Sequence, residues 1–281
     1  MGGRGLEHGF LRKHMENGTI EKYMDREGFL DRSGVHAADV LTQIWKKNGR
    51  RWLQRAYSGS TEGDTGQIRL YDELATPAGE IAAYDILKSH CRSGIIFLFE
   101  QAIQLGLTDP SHRVLDIGCG SGLEACFFAE QMKGNGHVEG IDISNEMVKR
   151  ALERKNRLGL SNVHFLRASR DNLPYEDQAF ERIFCNHALT EGNNQSYNQY
   201  GAMINRHIIG ERIKELRRVL HDKGVALISE PSQPEAVDFT EEYTGSLIEF
   251  SGMKIVNVRI KSSPAPVEDQ AYSEVCFVVK K

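Results

Sequence analysis

The chain has 281 residues, of which 40% are hydrophobic and 26% are charged, and its formal net charge at pH 7 is −4. This composition is ordinary for a globular protein, and the negative balance gives no overall attraction to nucleic acid or to an anionic membrane. No apolar run reaches the length of a membrane span, and the Gly-Gly-Arg start lacks a secretory signal, so a cytoplasmic location is expected.

The cysteines are scattered along the chain. They number five, an odd count, and none forms a Cys-x-x-Cys pair. This pattern indicates neither a disulfide framework nor a zinc site, and no metal is expected.

Residues 1–107 carry no sequence motif that indicates a function, and they are predicted to be mainly helical. Apolar residues at helical spacing indicate one amphipathic helix within 37–52 and two more within 81–105, with a mobile loop at 57–66. The basic stretch 46–55 mixes cations with tryptophan. It fits either a nucleic-acid surface or a solvated helix face whose tryptophans are core, and charge runs favour the second interpretation.

The most informative segment is 113–124, which predicts a short apolar strand, a sharp glycine turn and the start of a helix. Gly118, Gly120 and Gly122 lack Cβ atoms, so their backbone can approach a ligand closely and is expected to keep its N–H groups free to donate. The dinucleotide fingerprint would need a glycine at Leu123. Asp116, which precedes the turn, suits a cationic ligand better than a phosphate.

A second strand, 137–142, ends in another acid, Asp142, twenty residues after Gly122. A carboxylate at this position can accept both hydrogens of a ribose diol. Ser144 is a predicted N-cap for a helix over 144–157, with Glu146 in its first turn.

At these motifs the chain resembles the class I S-adenosylmethionine-dependent methyltransferases, whose first motif is apolar-Leu-Asp-apolar-Gly-x-Gly-x-Gly. The resemblance implies that S-adenosylmethionine is the cofactor and that Asp116 holds its methionine amino group. It also implies that Asp142 binds the ribose and that Ile143 lies against the adenine. The remaining cofactor-binding residues that it implies in these two motifs are Gly118, Cys119, Gly120, Gly122 and Met147.

Three further segments carry the resemblance. Residues 168–174, after a strand at 163–167, are similar to the family's Gly-Asp-Ala-x-x-Leu-Pro adenine motif, with Ser169 at the position of the Asp. A neutral hydroxyl forms the weaker bond, so the backbone of Ser169 and Arg170 is the more conservative expectation. The resemblance implies that the fourth strand, 180–189, places the cofactor-binding residues Asn186 and His187 near the transferred methyl group. The fifth, 224–231, follows a segment close to Glu-x-x-Arg-Val-Leu-Lys-Pro-Gly-Gly.

Alternating strands and helices predict an α/β fold with a doubly wound, seven-stranded, mostly parallel sheet. The loop between the last two strands, 254–260 and 274–279, is too short for a helical crossover, so this pair should be antiparallel and supply the reversed edge strand. We therefore expect a helical cap or lid at 1–107 and a cofactor-binding domain at 108–281.

Candidate catalytic and substrate residues surround the predicted site. His187 is a candidate general base or a pocket-lining residue, and Glu230 is a candidate base or metal ligand or a carboxylate that orients a loop. Tyr71 and Tyr84 could reach substrate from the lid. The amide-rich insertion 190–201 is either a wall of the acceptor pocket, through Asn193, Tyr197 and Tyr200, or a solvated loop.

These observations predict a methyltransferase that acts on O, N or C of a small molecule. The alternatives are a nucleic-acid or protein methyltransferase, and a non-catalytic protein that binds the cofactor. The acidic balance and the sequence Cys185-Asn186-His187-Ala188, where the Asn-Pro-Pro-Tyr type would serve flipped amino groups, disfavour a nucleic-acid partner. If the chain forms a homo-oligomer, the N-terminal helices are the predicted contact.

Overall fold

The computed structural model describes residues 18–29, 43, 46–47, 64–82, 92–189, 199–232, 237–263 and 272–281. The helices with defined bounds are α1 Thr19–Arg26, α2 Asp64–Leu74, α3 Pro77–Ala82, α4 Arg92–Gln104, α5 Leu123–Gln131, α6 Asn145–Leu158, α7 Gln199–Val219 and α8 Val237–Phe250. The strands are β1 Arg113–Ile117, β2 His137–Asp142, β3 Val163–Arg167, β4 Phe180–Asn186, β5 Leu220–Ser232, β6 Lys254–Ser263 and β7 Tyr272–Lys280.

The strands form one seven-stranded sheet in the order β3-β2-β1-β4-β5-β7-β6. The first five in this order are mutually parallel, whereas β7 is antiparallel to both of its neighbours. The predicted fold class and the antiparallel pairing of the last two strands are confirmed, with the reversed strand lying between β5 and the outermost strand β6. The strand order reverses between β1 and β4, where the carboxyl ends of parallel strands open a crevice for a ligand.

Helices cover both faces of the sheet because alternate residues of each central strand point to opposite sides. Val114 of β1 packs with apolar side chains of α1, α4 and α5, and its neighbour Leu115 packs with those of α7 and α8. The buried cores on the two faces fix the sheet as a rigid platform whose carboxyl edge carries the loops of the candidate site.

Helices α1 and α4 of the N-terminal segment pack on the first of these faces. Tyr23 of α1 makes edge-to-face contacts with Phe99 of α4 and Phe127 of α5, at centroid separations of 6.2 and 5.1 Å. Its hydroxyl donates to the carbonyl oxygen of Leu123 at 2.7 Å. This aromatic cluster ties α1 to the helix that follows the glycine turn.

Several boundaries differ from the sequence prediction. Helix α7 begins at Gln199, inside the predicted insertion 190–201, and β5 begins at Leu220 rather than at Gly224. Leu220 pairs with Phe180 across an irregular register that no local pattern marks. Helix α2 begins at Asp64, within the loop predicted at 57–66. Most of the helix expected at 37–52 lies outside the described residues.

Candidate active site

The glycine turn follows β1 and is held against the end of β2. The backbone N–H groups of Gly118 and Cys119 both donate to the carbonyl oxygen of Ile141 at 2.8 Å, and that of Gly122 donates to Cys119 at 2.8 Å. The N–H of Gly120 donates to Asp142 Oδ2 at 2.9 Å. The expectation that the turn keeps these N–H groups free is therefore wrong, because the turn uses all four to fix its own shape.

The three glycines have φ values of +73°, +51° and +75°, in the left-handed region that favours glycine. A Cβ atom on Gly118 would lie 2.5 Å from that of Ala188, and one on Gly122 would lie 2.7 Å from the Phe165 ring. A Cβ atom on Gly120 would meet no described atom within 4 Å. Close packing thus requires the outer two glycines, whereas the middle one faces open space where a ligand can lie.

Asp142 joins the turn to the loop after β2. Its Oδ2 accepts from Gly120, and its Oδ1 accepts from the N–H of Ser144 at 2.9 Å. Ser144 caps α6 by accepting from the N–H of Met147 at 3.1 Å, as its position predicts. Each carboxylate oxygen has further lone pairs, so Asp142 can accept ribose hydroxyls while it keeps these backbone bonds.

Buried carboxylates form the floor of the site. Asp116, Glu124 and Glu230 are at most 5% exposed. Burial raises the pKa of the Cys119 thiol well above its usual range, and the charges of Asp116, Asp142 and Glu124 raise it further. Asp116 precedes the turn, Glu124 follows it, and Asp142 bonds the N–H of Gly120 within it, so three carboxylates lie at the turn. This concentration of negative charge fits a sulfonium and an ammonium group.

Glu124 is a residue that sequence reasoning missed. It lies in the first turn of α5, buried although charged, and its Oε1 accepts from Asn186 Nδ2 at 3.2 Å. Asn186 Oδ1 is buried and accepts no hydrogen bond from the residues that the structure describes. A bound ligand with an N–H or O–H group would satisfy it. Only the position of Glu124, next to the glycines, could have suggested a role.

The end of β4 carries the residues predicted near the reacting groups. His187 is buried, and its φ of +54° is unusual for a residue with a side chain. Its N–H donates to the carbonyl oxygen of Ser229 at 2.8 Å, and Asn186 is in register with Ser229, so Glu230 follows directly on the neighbouring strand. Such strained backbone is often found at functional sites.

The environment of Cys185 lowers the nucleophilicity of its thiol. Burial, reinforced by the charges of Glu230 and Asp116 and opposed by Arg170, raises its pKa to about 12. The thiol is therefore neutral at physiological pH, so it is unsuited to act as a nucleophile.

The segment predicted to contact adenine lies next to Asp142, because the N–H of Ala168 donates to the Asp142 carbonyl oxygen at 3.0 Å. The Ser169 hydroxyl donates to Asp171 Oδ2 at 3.3 Å and accepts from the Asp171 N–H at 3.2 Å. Arg212 of α7 holds the other oxygen of Asp171 at 2.5 Å. Since the Ser169 hydroxyl is engaged locally, the backbone of Ser169 and Arg170 is the better candidate for the adenine contact.

The other residues that the sequence predicts to bind the cofactor lie on this side of the site. Met147 is buried in the first turn of α6. Ile143 is partly buried, and its carbonyl oxygen accepts from Arg167 Nε at 3.0 Å. Both residues therefore lie on the loop and helix that follow Asp142, on the side of the segment 168–170.

Only some of the residues predicted to form the lid or to contact substrate lie in the described part of the chain. Tyr71 lies half-buried on α2, next to Asp72, which accepts from Ser144 Oγ at 2.5 Å. Tyr84, Asn193 and Tyr197 lie outside the described residues, as does the side chain of Tyr200 at the start of α7.

Lys47 is one of the residues of the basic stretch 46–55 that the structure describes. Its ammonium pairs with Glu73 at 2.6 Å, as on a solvated helix face.

None of the helices among the described residues combines the length and the hydropathy that a membrane span requires. The same residues bring together no set of three His, Cys, Asp or Glu side chains arranged to hold a metal.

Residues 108–268 match a family of proteins described as a methyltransferase domain. This match covers more than half of the chain, and the chain belongs to that family. Together with the sheet order and the glycine turn, it defines a class I methyltransferase of the S-adenosylmethionine-dependent type.

Two curated relatives have names that describe a particular methyltransferase. A ubiquinone/menaquinone biosynthesis C-methyltransferase of Vibrio campbellii is 28% identical over 173 residues, which is 58% of this chain and 60% of the relative. A demethylmenaquinone methyltransferase of Bacillus cytotoxicus is 28% identical over 134 residues, 48% of this chain and 51% of the relative. The chain therefore spans less than two thirds of the length of these two relatives.

Solved structures support the fold. The [4+2]-cyclase SpnF has a TM-score of 0.53 at 20% identity, covering 68% of this chain and 82% of the cyclase. The MccD protein has a TM-score of 0.50 at 16% identity, covering 67% of this chain and 98% of MccD. At these identities the similarity concerns the fold alone.

Proposed function

We propose that the chain binds S-adenosylmethionine and transfers its methyl group to an O, N or C atom of a small molecule. The observation that carries the proposal is the placement of three carboxylates at the glycine turn: Asp116 just before it, Glu124 just after it, and Asp142 bonded to the N–H of Gly120 at 2.9 Å. A dinucleotide pyrophosphate would be repelled by this charge, whereas the positively charged methionine end of S-adenosylmethionine would be attracted.

Each residue has a proposed binding role. Asp116 and Glu124 hold the cationic end, and Asp142 accepts the ribose hydroxyls. The methionine part of the cofactor lies over the backbone of Gly118, Cys119, Gly120 and Gly122. Ile143, Met147 and the backbone of Ser169 and Arg170 surround the adenine. The oxygen of Asn186 accepts from the ligand at the end of β4.

S-Adenosylmethionine supplies an activated methyl group when bound. The chain's own contribution is to hold the acceptor in line with that group and to exclude water. For an acceptor that must lose a proton, His187 is the proposed base, because an imidazole titrates near neutral pH and this one lies at the strand end. Glu230 is the second candidate for that proton.

The small-molecule acceptor is supported by the two curated relatives, whose names describe methylation in quinone biosynthesis. The net charge of −4 also opposes binding to nucleic acid. Tyr71 and Tyr84, with Asn193, Tyr197 and Tyr200 of segment 190–201, are the proposed sources of acceptor contacts. The N-terminal segment 1–107 is the proposed lid over the site.

To test the proposal, the protein is incubated with methyl-labelled S-adenosylmethionine and a cell extract. The reaction is then divided into two portions, one treated with nuclease and the other with protease. Label in small molecules that survive both treatments is expected. Label that is lost with nuclease or with protease would instead indicate a nucleic-acid or protein acceptor. Binding of the cofactor without any labelled product would indicate a non-catalytic binding protein.

A further inference from the structure

A buried arginine joins the glycine turn to two N-terminal segments. Arg154 of α6 donates through Nε to Glu27, beyond the end of α1, at 2.8 Å, and through Nη2 to Glu80 of α3. Its Nη1 donates to the carbonyl oxygen of Ser121, and to Ser121 Oγ at 2.9 Å. Ser121 lies between Gly120 and Gly122, so one guanidinium binds the turn and two segments far from it in sequence.

The arrangement needs arginine in particular. Burial opposes the charge of Arg154, but Glu80 and Glu27 outweigh it and raise the pKa of the guanidinium above its usual range. Glu80 also accepts from Ser121 Oγ and, through its other oxygen, from Arg150 at 3.2 Å. A planar fork of donors can serve three acceptors in one plane, which the single ammonium of lysine cannot.

A second contact ties the N-terminal segments to the other cofactor loop. Asp72 of α2 accepts from Ser144 Oγ at 2.5 Å and from the N–H of Glu146 at 3.4 Å. Ser144 is two residues beyond Asp142, the proposed ribose ligand. Carboxylates from α2 and α3 therefore contact both of the loops that are proposed to hold the cofactor.

We propose that Arg154 is a positioning residue that acts on the cofactor through the glycine turn. The glycines on either side of Ser121 have no side chains to restrain them, so a contact to the Ser121 carbonyl adds to the backbone hydrogen bonds that fix the turn. Arg154 supplies such a contact at the Ser121 carbonyl, and Glu27 and Glu80 hold the guanidinium in place. Docking of the N-terminal segments is thereby coupled to cofactor affinity.

The inference rests on the proposed function for the identity of the ligand. Its test compares Arg154→Lys with Arg157→Lys in the full chain. Arg157 lies three residues later on α6 and bonds Glu27 at 2.6 Å, and among the described residues its hydrogen bonds go to Glu27 and not to the turn. Both variants keep the charge, so the pair separates loss of the turn contact from loss of an ion pair.

Affinity for S-adenosylmethionine is measured by isothermal titration calorimetry at a temperature at which circular dichroism shows both variants folded. Arg154→Lys should raise the Kd about tenfold or more, as expected when a charge-assisted hydrogen bond is weakened. Arg157→Lys should change it by less than about twofold, as is usual for a surface substitution. A purely structural role would lower the melting temperature and leave the Kd unchanged.

A folded Arg154→Lys protein with the wild-type Kd would overturn the inference and leave the proposed function intact. If that variant does not fold, Glu80→Gln decides, because it keeps the shape and removes the charge that orients Arg154. Glu80→Gln should raise the Kd about threefold or more, and a wild-type value would overturn the inference. Failure of the wild-type protein to bind S-adenosylmethionine would refute the proposed function and this inference together.

Discussion

Replacing Gly120 by alanine separates a ligand-contact role of the glycine turn from its backbone role. Gly120 has φ +51° and open space where a Cβ atom would lie. Gly134, in an exposed turn away from the site, has φ +80° and equally open surroundings, so Gly134→Ala is the matched control. Each variant should lose about 1–2 kcal/mol of folding stability, the cost of a left-handed conformation for alanine.

For a chain of this size, that loss corresponds to a fall in melting temperature of about 2–8 °C in both variants. Only Gly120→Ala places a methyl group where the methionine part of the cofactor is proposed to lie. It should raise the Kd for S-adenosylmethionine about tenfold or more by calorimetry, a loss of about 1.4 kcal/mol, while Gly134→Ala should not. Equal affinities of the two variants would refute the placement of the ligand over the turn.

Three further substitutions or labels test the site. Asp142→Asn removes the charge-assisted bonds proposed for the ribose and should raise the Kd for S-adenosylmethionine about tenfold or more by calorimetry; an unchanged Kd would exclude Asp142 as a ligand. His187→Ala should lower turnover about a hundredfold with cofactor affinity unchanged, and unchanged turnover in the methyl-transfer assay would exclude the base role. Cys126 and Cys185, with pKa values raised to about 12 by burial, should resist iodoacetamide at about pH 8 until the protein is unfolded, because their thiols stay protonated; peptide mass spectrometry that finds them alkylated in the native protein would contradict their burial.

The strand–turn–helix at the site could be predicted closely from sequence. The helix expected to start at the glycine turn is Leu123–Gln131, and the N-cap of α6 is Ser144 as predicted. These features depend on local signals, namely glycine spacing, a capping serine and apolar periodicity. Where such signals are strong, tertiary contacts do not need to override them.

The polar network could not be predicted, because its members are far apart in sequence. Arg154 lies 127 residues from Glu27 and 74 residues from Glu80. The local sequence around each of these three residues predicts only a solvated charge on a helix. Burial of Glu124 likewise depends on Asn186, at a separation of 62 residues. The packing of the N-terminal segments beside α6 brings Arg154, Glu27 and Glu80 together, whereas the packing of α5 beside β4 brings Glu124 to Asn186.

The bounds of β5 show the same limit. His221, Asp222 and Lys223 have the polarity of a turn, and the sequence therefore predicts a strand that begins at Gly224. In the structure the strand begins at Leu220, because Leu220 pairs with Phe180 before the regular register begins at Arg182 and Val225. Pairing across strands decides this boundary, and local propensity does not.

Titration of the wild-type chain with S-adenosylmethionine, and in parallel with NAD, tests the central claim most directly. We predict saturable binding of S-adenosylmethionine and no binding of NAD, because Asp116 and Glu124 favour a cationic ligand and Leu123 replaces the third glycine of the dinucleotide fingerprint. Binding of NAD in place of S-adenosylmethionine would contradict the assignment of the glycine turn and, with it, the proposed methyl transfer.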